Sequence, residues 1–287
     1  MKTGIYLPPF GELADARRVA DLASAAEQAG WDGFFIWDHM LATPDLPVAE
    51  AWTTLAAIAT ATSVIRLGAM VTPLARRRPW VLARQVATLD HLSGGRLTVG
   101  IGLGDDGWRE FSAFGEETDP RARGRLLDES LDALLSLLSG NEVSYRGARI
   151  VIDSPPMVPK PVQDPVPVWA ACIWPHRKPL ARAARLEGCF PIFPGGGPVS
   201  SGPLRFGPAE VETIRAELTG LGAPRSYDLV VCGATRRLAA AERAEAAGWI
   251  GDAGATWLLE SFAPGVAAAE VEAVVRSGPH LAGKIGG

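Results

Sequence analysis

Apolar positions along the chain fall into a repeating unit: a short apolar run, a polar or Gly/Pro-rich turn, then a segment with apolar residues at helical spacing. The first unit runs from Gly4-Ile5-Tyr6-Leu7 through Pro8-Pro9-Phe10-Gly11 into a helix expected over residues 15–29. There Val19, Leu22, Ala23 and Ala26 share one face, Asp15 is placed to cap the start, and Gly30 is placed to end the helix in a left-handed conformation. The same rhythm predicts further strands over 33–37, 65–71, 97–103, 166–171, 189–193, 229–232 and 256–259. Their helices are expected over 49–61, 80–92, 122–138, 178–186, 209–221, 238–247 and 267–275. Residues 141–163 break the rhythm. With prolines at 155, 156, 159 and 161, they read as a short outer strand plus an extended connection between the fourth helix and the fifth strand, not as a domain linker.

Eight strand–helix units of this kind predict an α/β protein with a single (β/α)8 TIM barrel over residues 1–287. Parallel strands need crossovers of this length, and right-handed crossovers repeated eight times close a barrel. A doubly wound open sheet is the alternative; Pro8-Pro9 stands where it would need a glycine-rich phosphate loop.

Barrel chemistry sits at the C-terminal strand ends. The residues expected there are Phe10, then Trp37, Asp38 and His39, then Thr72 and Pro73, then Gly104 and Trp108. Ile173, Trp174 and His176 follow the fifth strand, Gly195-Gly196-Gly197 the sixth, and Phe262 the eighth. This rim is apolar and aromatic, and lacks the motifs of hydrolases, Schiff-base enzymes and metal sites. It suits a flat redox cofactor, for which the protein supplies orientation and a proton-handling group. His39 is the leading catalytic candidate because its imidazole exchanges protons near neutral pH, and Asp38 is expected to orient it. A histidine that only fixes its loop is the bland alternative. His91, at a helix end, reads as structural. His176, beside Arg177 and Lys178, offers an anion site. Gly102 and Gly104 predict a small-residue wall against which a ring system can lie. Phe10, Trp37, Trp108, Trp174 and Phe262 form the expected pocket for a hydrophobic small molecule.

Composition narrows the picture. Hydrophobic residues make up 47% of 287 and charged ones 21%, enough for a large core, and the net charge of -4 argues against a nucleic-acid partner. Arg76-Arg77-Arg78 and the arginines of 121–125 read as solvated loop or helix-start charges, with anion binding as the other reading. The three cysteines, Cys172, Cys189 and Cys232, have neither disulfide-framework nor zinc-ligand spacing. With no secretory leader and no apolar run long enough to span a bilayer, a cytoplasmic protein without a membrane partner is expected.

Four stretches together resemble the luciferase-like flavin- and deazaflavin-dependent oxidoreductases. They are residues 25–34 leading into Trp37-Asp38-His39; residues 66–74; Arg78-Pro79 with residues 87–97 and Gly100-Ile101-Gly102; and Glu110-Phe111 with Phe114-Gly115, Arg123 and Leu127-Asp128-Glu129. The resemblance implies a barrel that commonly dimerises through its early helices. It also implies reduced FMN, or alternatively the reduced deazaflavin coenzyme F-420, with its ring over strand three at Ala69, Met70, Val71 and Thr72. A non-prolyl cis peptide is implied there, and His39 matches the family's strand-two histidine. A monooxygenase using reduced FMN and O2, served by a separate flavin reductase, is the leading expectation. A deazaflavin-dependent dehydrogenase or reductase is the second, and a catalytically inactive flavin-binding barrel the third. Relatives often hold the cofactor phosphate on a glycine-rich turn after strand five; here residues 171–178 depart from that pattern. Arg177 and Lys178 are expected to substitute charge for backbone donors, and Cys172 and Ile173 to hinder close approach. The short stretch between strands six and seven predicts no long lid.

Overall fold

In the computed structural model, which describes residues 1–193, 204, 206–224 and 226–279, the barrel strands are β1 (Lys2–Leu7), β2 (Gly33–Ile36), β3 (Arg66–Ala69) with β4 (Thr72–Pro73), β5 (Val99–Gly102), β8 (Val168–Ile173), β9 (Gly188–Ile192), β10 (Asp228–Gly233) and β11 (Trp257–Ser261). Every pairing among them is parallel. The expected third strand is one barrel strand in two pieces, interrupted at the cis Met70–Val71 peptide. Its first piece pairs with β2 and its second with β5, so this broken strand closes the ring, helped by Thr98 N–H donating to Leu67 O at 2.9 Å. A barrel is therefore what forms; the open sheet is excluded.

Helices α1 (Ala16–Gln28), α2 (Ala51–Ala61), α3 (Pro79–Leu92), α4 (Pro120–Leu138), α5 (Arg177–Ala183), α6 (Pro208–Gly220), α7 (Ala240–Asp252) and α8 (Ala268–Ser277) follow the strands in alternation. Their starts follow local chemistry. Asp15 accepts from Arg17 N–H, Glu50 from Thr53 N–H and Asp119 from Ala122 N–H, each satisfying a helix-end donor. Among the described residues no helix is long and apolar enough to cross a membrane. The segment expected to hold one outer strand holds two, β6 (Val143–Arg146) and β7 (Val151–Ser154), paired antiparallel. Its turn is tied to α4 because Glu129 accepts from the Arg149 and Ile150 N–H groups.

Alternation along the strands sorts the core into two regions. One lies between strands and helices; the other fills the barrel with Tyr6, Phe35, Trp37, Met70, Trp169, Phe190 and Trp257. Phe35, Trp169 and Trp257 form a floor, with ring centroids 5.3–5.7 Å apart. Glycine makes room for it: a Cβ at Gly188 would lie 2.2 Å from Trp169 Cδ1, and one at Gly33 2.6 Å from Phe35 Cε2. The lower barrel is solid, so the site can only be at the upper end.

Candidate active site

Past β2, alternation sends Trp37 and His39 into the barrel mouth and Asp38 away from it. Phe10, Trp37 and Trp108 surround the His39 ring, at centroid distances of 5.7, 5.6 and 4.9 Å. One edge of the imidazole is fixed: Nδ1 lies 2.7 Å from Oε2 of Glu110, which arrives from the turn after β5. A carboxylate is only an acceptor, so neutral His39 keeps its proton on Nδ1. Nε2 then carries the lone pair, no described residue bonds it, and with 24% of the side chain exposed it can be reached from the mouth. Nδ1 is thus an anchor and Nε2 the working atom.

Glu110 is buried, and its charge is compensated from several sides. Oε1 accepts from the Met40 and Leu41 N–H groups and lies 3.2 Å from Arg76 Nη1. Burial alone would raise its carboxyl pKa; the hydrogen bond and charge of His39, the Arg76 guanidinium and the Met40 N–H outweigh it and hold the group below the usual carboxylate range. A carboxylate kept ionised accepts from Nδ1–H whether or not Nε2 carries a proton, so the ring stays held in both states. The pair can therefore take a proton at Nε2 and return it.

Asp38 does not orient His39, contrary to expectation. Its carboxylate accepts from Thr72 Oγ1 at 2.9 Å, from Arg76 Nη2 at 3.1 Å and from Arg77 Nη2 at 2.8 and 3.0 Å. Two adjacent residues on an extended chain face opposite ways, so Asp38 serves the outer side while Glu110 takes the orienting place. Arg76 and Arg77 are correspondingly not solvated. Both are largely buried, Arg76 between Asp38 and Glu110 and Arg77 between Asp38 and Glu50, where each charge needs an opposite one. Thr72 is buried too, bonded to Asp38 and to Trp52 Nε1, and so is out of reach of a ligand.

The other expected positions separate in the same way. Ala69 faces the outer core, whereas Met70 faces the barrel, its carbonyl accepting from Tyr6 Oη at 2.8 Å. Val71 is the member of that set at the mouth. The glycine wall is not open: a Cβ at Gly102 would meet Val71 Cγ2 at 2.3 Å, and one at Gly104 would meet Phe111 at 2.8 Å. Phe262 is buried in the outer core under the Arg236 guanidinium, and Trp174 packs against that same outer core, so neither lines the barrel interior. Register explains the miss at β11, where Trp257, Leu259 and Ser261 take the inward positions. Ile173 is exposed at the rim. His176, Arg177 and Lys178 lie exposed at the start of α5, with Lys178 Nζ 3.4 Å from Asp128. Cys172 does not hinder that turn; it points into the core, its Sγ 3.1 Å from Cys189 Sγ, where burial pushes the Cys189 thiol pKa up. His91 Nε2 meets Lys160 O at 2.8 Å, a structural contact. Gly195-Gly196-Gly197 lies outside the described residues. Among the described residues no cluster of three or more His, Cys, Asp or Glu is placed to hold a metal.

Above Phe10, residues 40–48 fold back over the turn that follows β1, with Gly11 N–H donating to Pro47 O and Ala49 N–H to Pro9 O. Between this segment and residues 107–109 lies a hollow of about 550 Å³ that shares Trp108 with the His39 surround. Trp37 Nε1 is buried and has no hydrogen-bond acceptor among the described residues, like Trp169 Nε1 and Trp257 Nε1 in the floor.

A family model described as luciferase-like monooxygenase matches residues 1–198. Over 186 residues, 61% of the chain, it is 32% identical to an F-420-dependent glucose-6-phosphate dehydrogenase of Nakamurella multipartita, covering 54% of that protein. Over 150 residues, 48% of the chain, it is 31% identical to a 4-hydroxyprotoasukamycin monooxygenase of Streptomyces nodosus subsp. asukaensis, covering 38% of that protein. The chain thus spans about half or less of the length of the curated relatives it matches. Among solved structures, an F-420-dependent secondary alcohol dehydrogenase in complex with an F-420–acetone adduct superposes with a TM-score of 0.75, covering 97% of this chain and 98% of that one. At 16% identity, that likeness establishes the fold alone.

Proposed function

Because the chain belongs to the luciferase-like monooxygenase family, we propose that it is an oxidoreductase that moves a hydride between the deazaflavin coenzyme F-420 and a small alcohol or carbonyl compound. The observation that carries this reading is the His39–Glu110 pair at the barrel mouth. Oxidising an alcohol releases a proton from its hydroxyl as the hydride leaves carbon, and carbonyl reduction requires the reverse. Nε2 of His39 meets that need while Glu110 holds the ring and offsets the imidazolium charge. Val71 and Ile173 supply apolar contacts for the deazaflavin, and Arg177 and Lys178 are the exposed cations that would hold its phosphate. Bound there, the deazaflavin supplies or accepts the hydride; the protein contributes position, a dry aromatic surround and the proton. The intact pair also argues against an inactive flavin-binding barrel.

A second reading is a monooxygenase using reduced FMN and O2, with a separate flavin reductase as partner. Similarity to the Streptomyces monooxygenase and the aromatic lining around His39 favour it. In either case we place the protein in the cytoplasm as a homodimer. Titration of the purified chain with the deazaflavin and with reduced FMN, read by tryptophan quenching, separates the two. Binding of the deazaflavin at least tenfold tighter supports hydride transfer; preference for reduced FMN with O2 consumption overturns it in favour of oxygenation.

A further inference from the structure

Asp45 (φ 66°) and Arg109 (φ 61°) are the non-glycine residues with left-handed backbone among those described, and both line the 550 Å³ hollow beside His39. Such backbone persists only where its surroundings impose it, and it collects at ligand sites. At Arg109 the cause is visible. Arg109 N–H donates to Asp106 O at 2.8 Å, and Asp106 Oδ1 accepts from the Phe111 and Ser112 N–H groups. This tight turn sends two consecutive opposite charges in opposite directions. Glu110 enters the buried slot against His39, and the Arg109 side chain is left exposed at the hollow, its guanidinium without a hydrogen bond or ion pair to any described residue.

The rest of the lining is mainly apolar: Met40, Leu46 and Val48 on one side, Trp108 on the other. Trp108 also stands 4.9 Å from the His39 ring, so an occupant in contact with the indole is one ring away from the imidazole. Apolar walls favour an apolar body, and an unpaired guanidinium favours an anion that it can bind in a fork. We propose that this hollow is the substrate site and that it selects an apolar molecule carrying an anionic head group, a carboxylate or a phosphate, held by Arg109. The word substrate rests on the oxidoreductase reading above; the binding does not. Asp45, on the opposite wall, repels the same head group and confines it to the Arg109 side.

Decanoate, decyl phosphate and 1-decanol, titrated into the full chain without cofactor and read by tryptophan fluorescence, test this. At least one of the two anions is expected to bind roughly tenfold or more tighter than decanol; whichever binds tighter identifies the head group. Arg109→Gln should abolish that preference and leave decanol unaffected, Arg109→Lys should keep most of it, and Asp45→Asn should strengthen anion binding severalfold. Equal affinity for all three probes overturns the proposal, as does Arg109→Gln weakening decanol as much as the anions. Equal weakening of every probe by Arg109→Gln and Asp45→Asn also overturns it, since the two charges would then pair with each other across the hollow. With no cofactor present, failure here leaves the hydride-transfer reading standing, and failure of that reading leaves this result intact.

Discussion

Glu110→Gln is the most informative single change, because it alters charge and hydrogen-bond polarity while nearly preserving shape. The new amide carbonyl can still accept from the Met40 N–H and face Arg76. That places the amide NH2 against His39 Nδ1, where the carboxylate oxygen stood at 2.7 Å. A donor opposite Nδ1 requires a lone pair on it, so the neutral imidazole carries its proton on Nε2 instead and cannot accept one there. Imidazolium also loses its adjacent negative charge. General acid–base assistance contributes about 10²–10⁴-fold to rate, and that factor is what should disappear from kcat, with KM nearly unchanged. Stability should fall much less, by about 1–3 kcal/mol for one disturbed buried polar contact, because Arg76 keeps Asp38 as a partner. Long-range ¹⁵N NMR of the His39 ring reads the tautomer directly, without any substrate: Nδ1–H in the native chain, Nε2–H in the variant. An unchanged tautomer, or a loss of kcat no larger than the loss of stability accounts for, would refute the reasoning.

His39→Ala should lower turnover by a similar factor while shifting the urea midpoint only slightly, since the ring is partly exposed; equal losses of activity and stability would make His39 a structural residue. Acid should expose the glutamates whose folded pKa lies below the ordinary glutamate value of 4.5. These are Glu110, as described, and Glu27, where burial is outweighed by the Ile65, Val64 and Ser63 N–H donors and Arg96. A depressed folded pKa contributes stability that is complete above the unfolded value and is lost as pH falls through the folded one. The urea midpoint should accordingly lose this contribution below about pH 4.5, less steeply in Glu110→Gln; identical acid slopes would count against the assignment. Gly188→Ala places a methyl group 2.2 Å from Trp169 Cδ1 and should cost about 1–3 kcal/mol in urea unfolding, whereas Gly124→Ala, in open space on α4, should gain about 0.5–1 kcal/mol. The same sign for both would dispute the tight floor.

The architecture was legible because each strand–helix unit is local and repeats; the second strand of the outer hairpin, the break between Ala69 and Thr72 and the short 3-10 turns such as Leu74–Arg76 escaped the periodicity. The site was legible where a single residue carries the signal, as at His39. It was not legible where function depends on register or on partners distant in sequence. Glu110 stands 71 residues from His39, and nothing local links them. Asp38 is adjacent to His39 in sequence yet serves the opposite face of the chain. Phe262 and Trp174 follow strand ends, where a shift of one residue exchanges the lumen for the outer layer.

The aromatic floor has a stereochemical consequence. Since Phe35, Trp169 and Trp257 plug the lower barrel, a molecule that enters the mouth must leave by the route it came. A planar guest at the rim rests one side on protein and offers only the other to an incoming reactant. Any reaction on such a guest would be confined to one of its two faces.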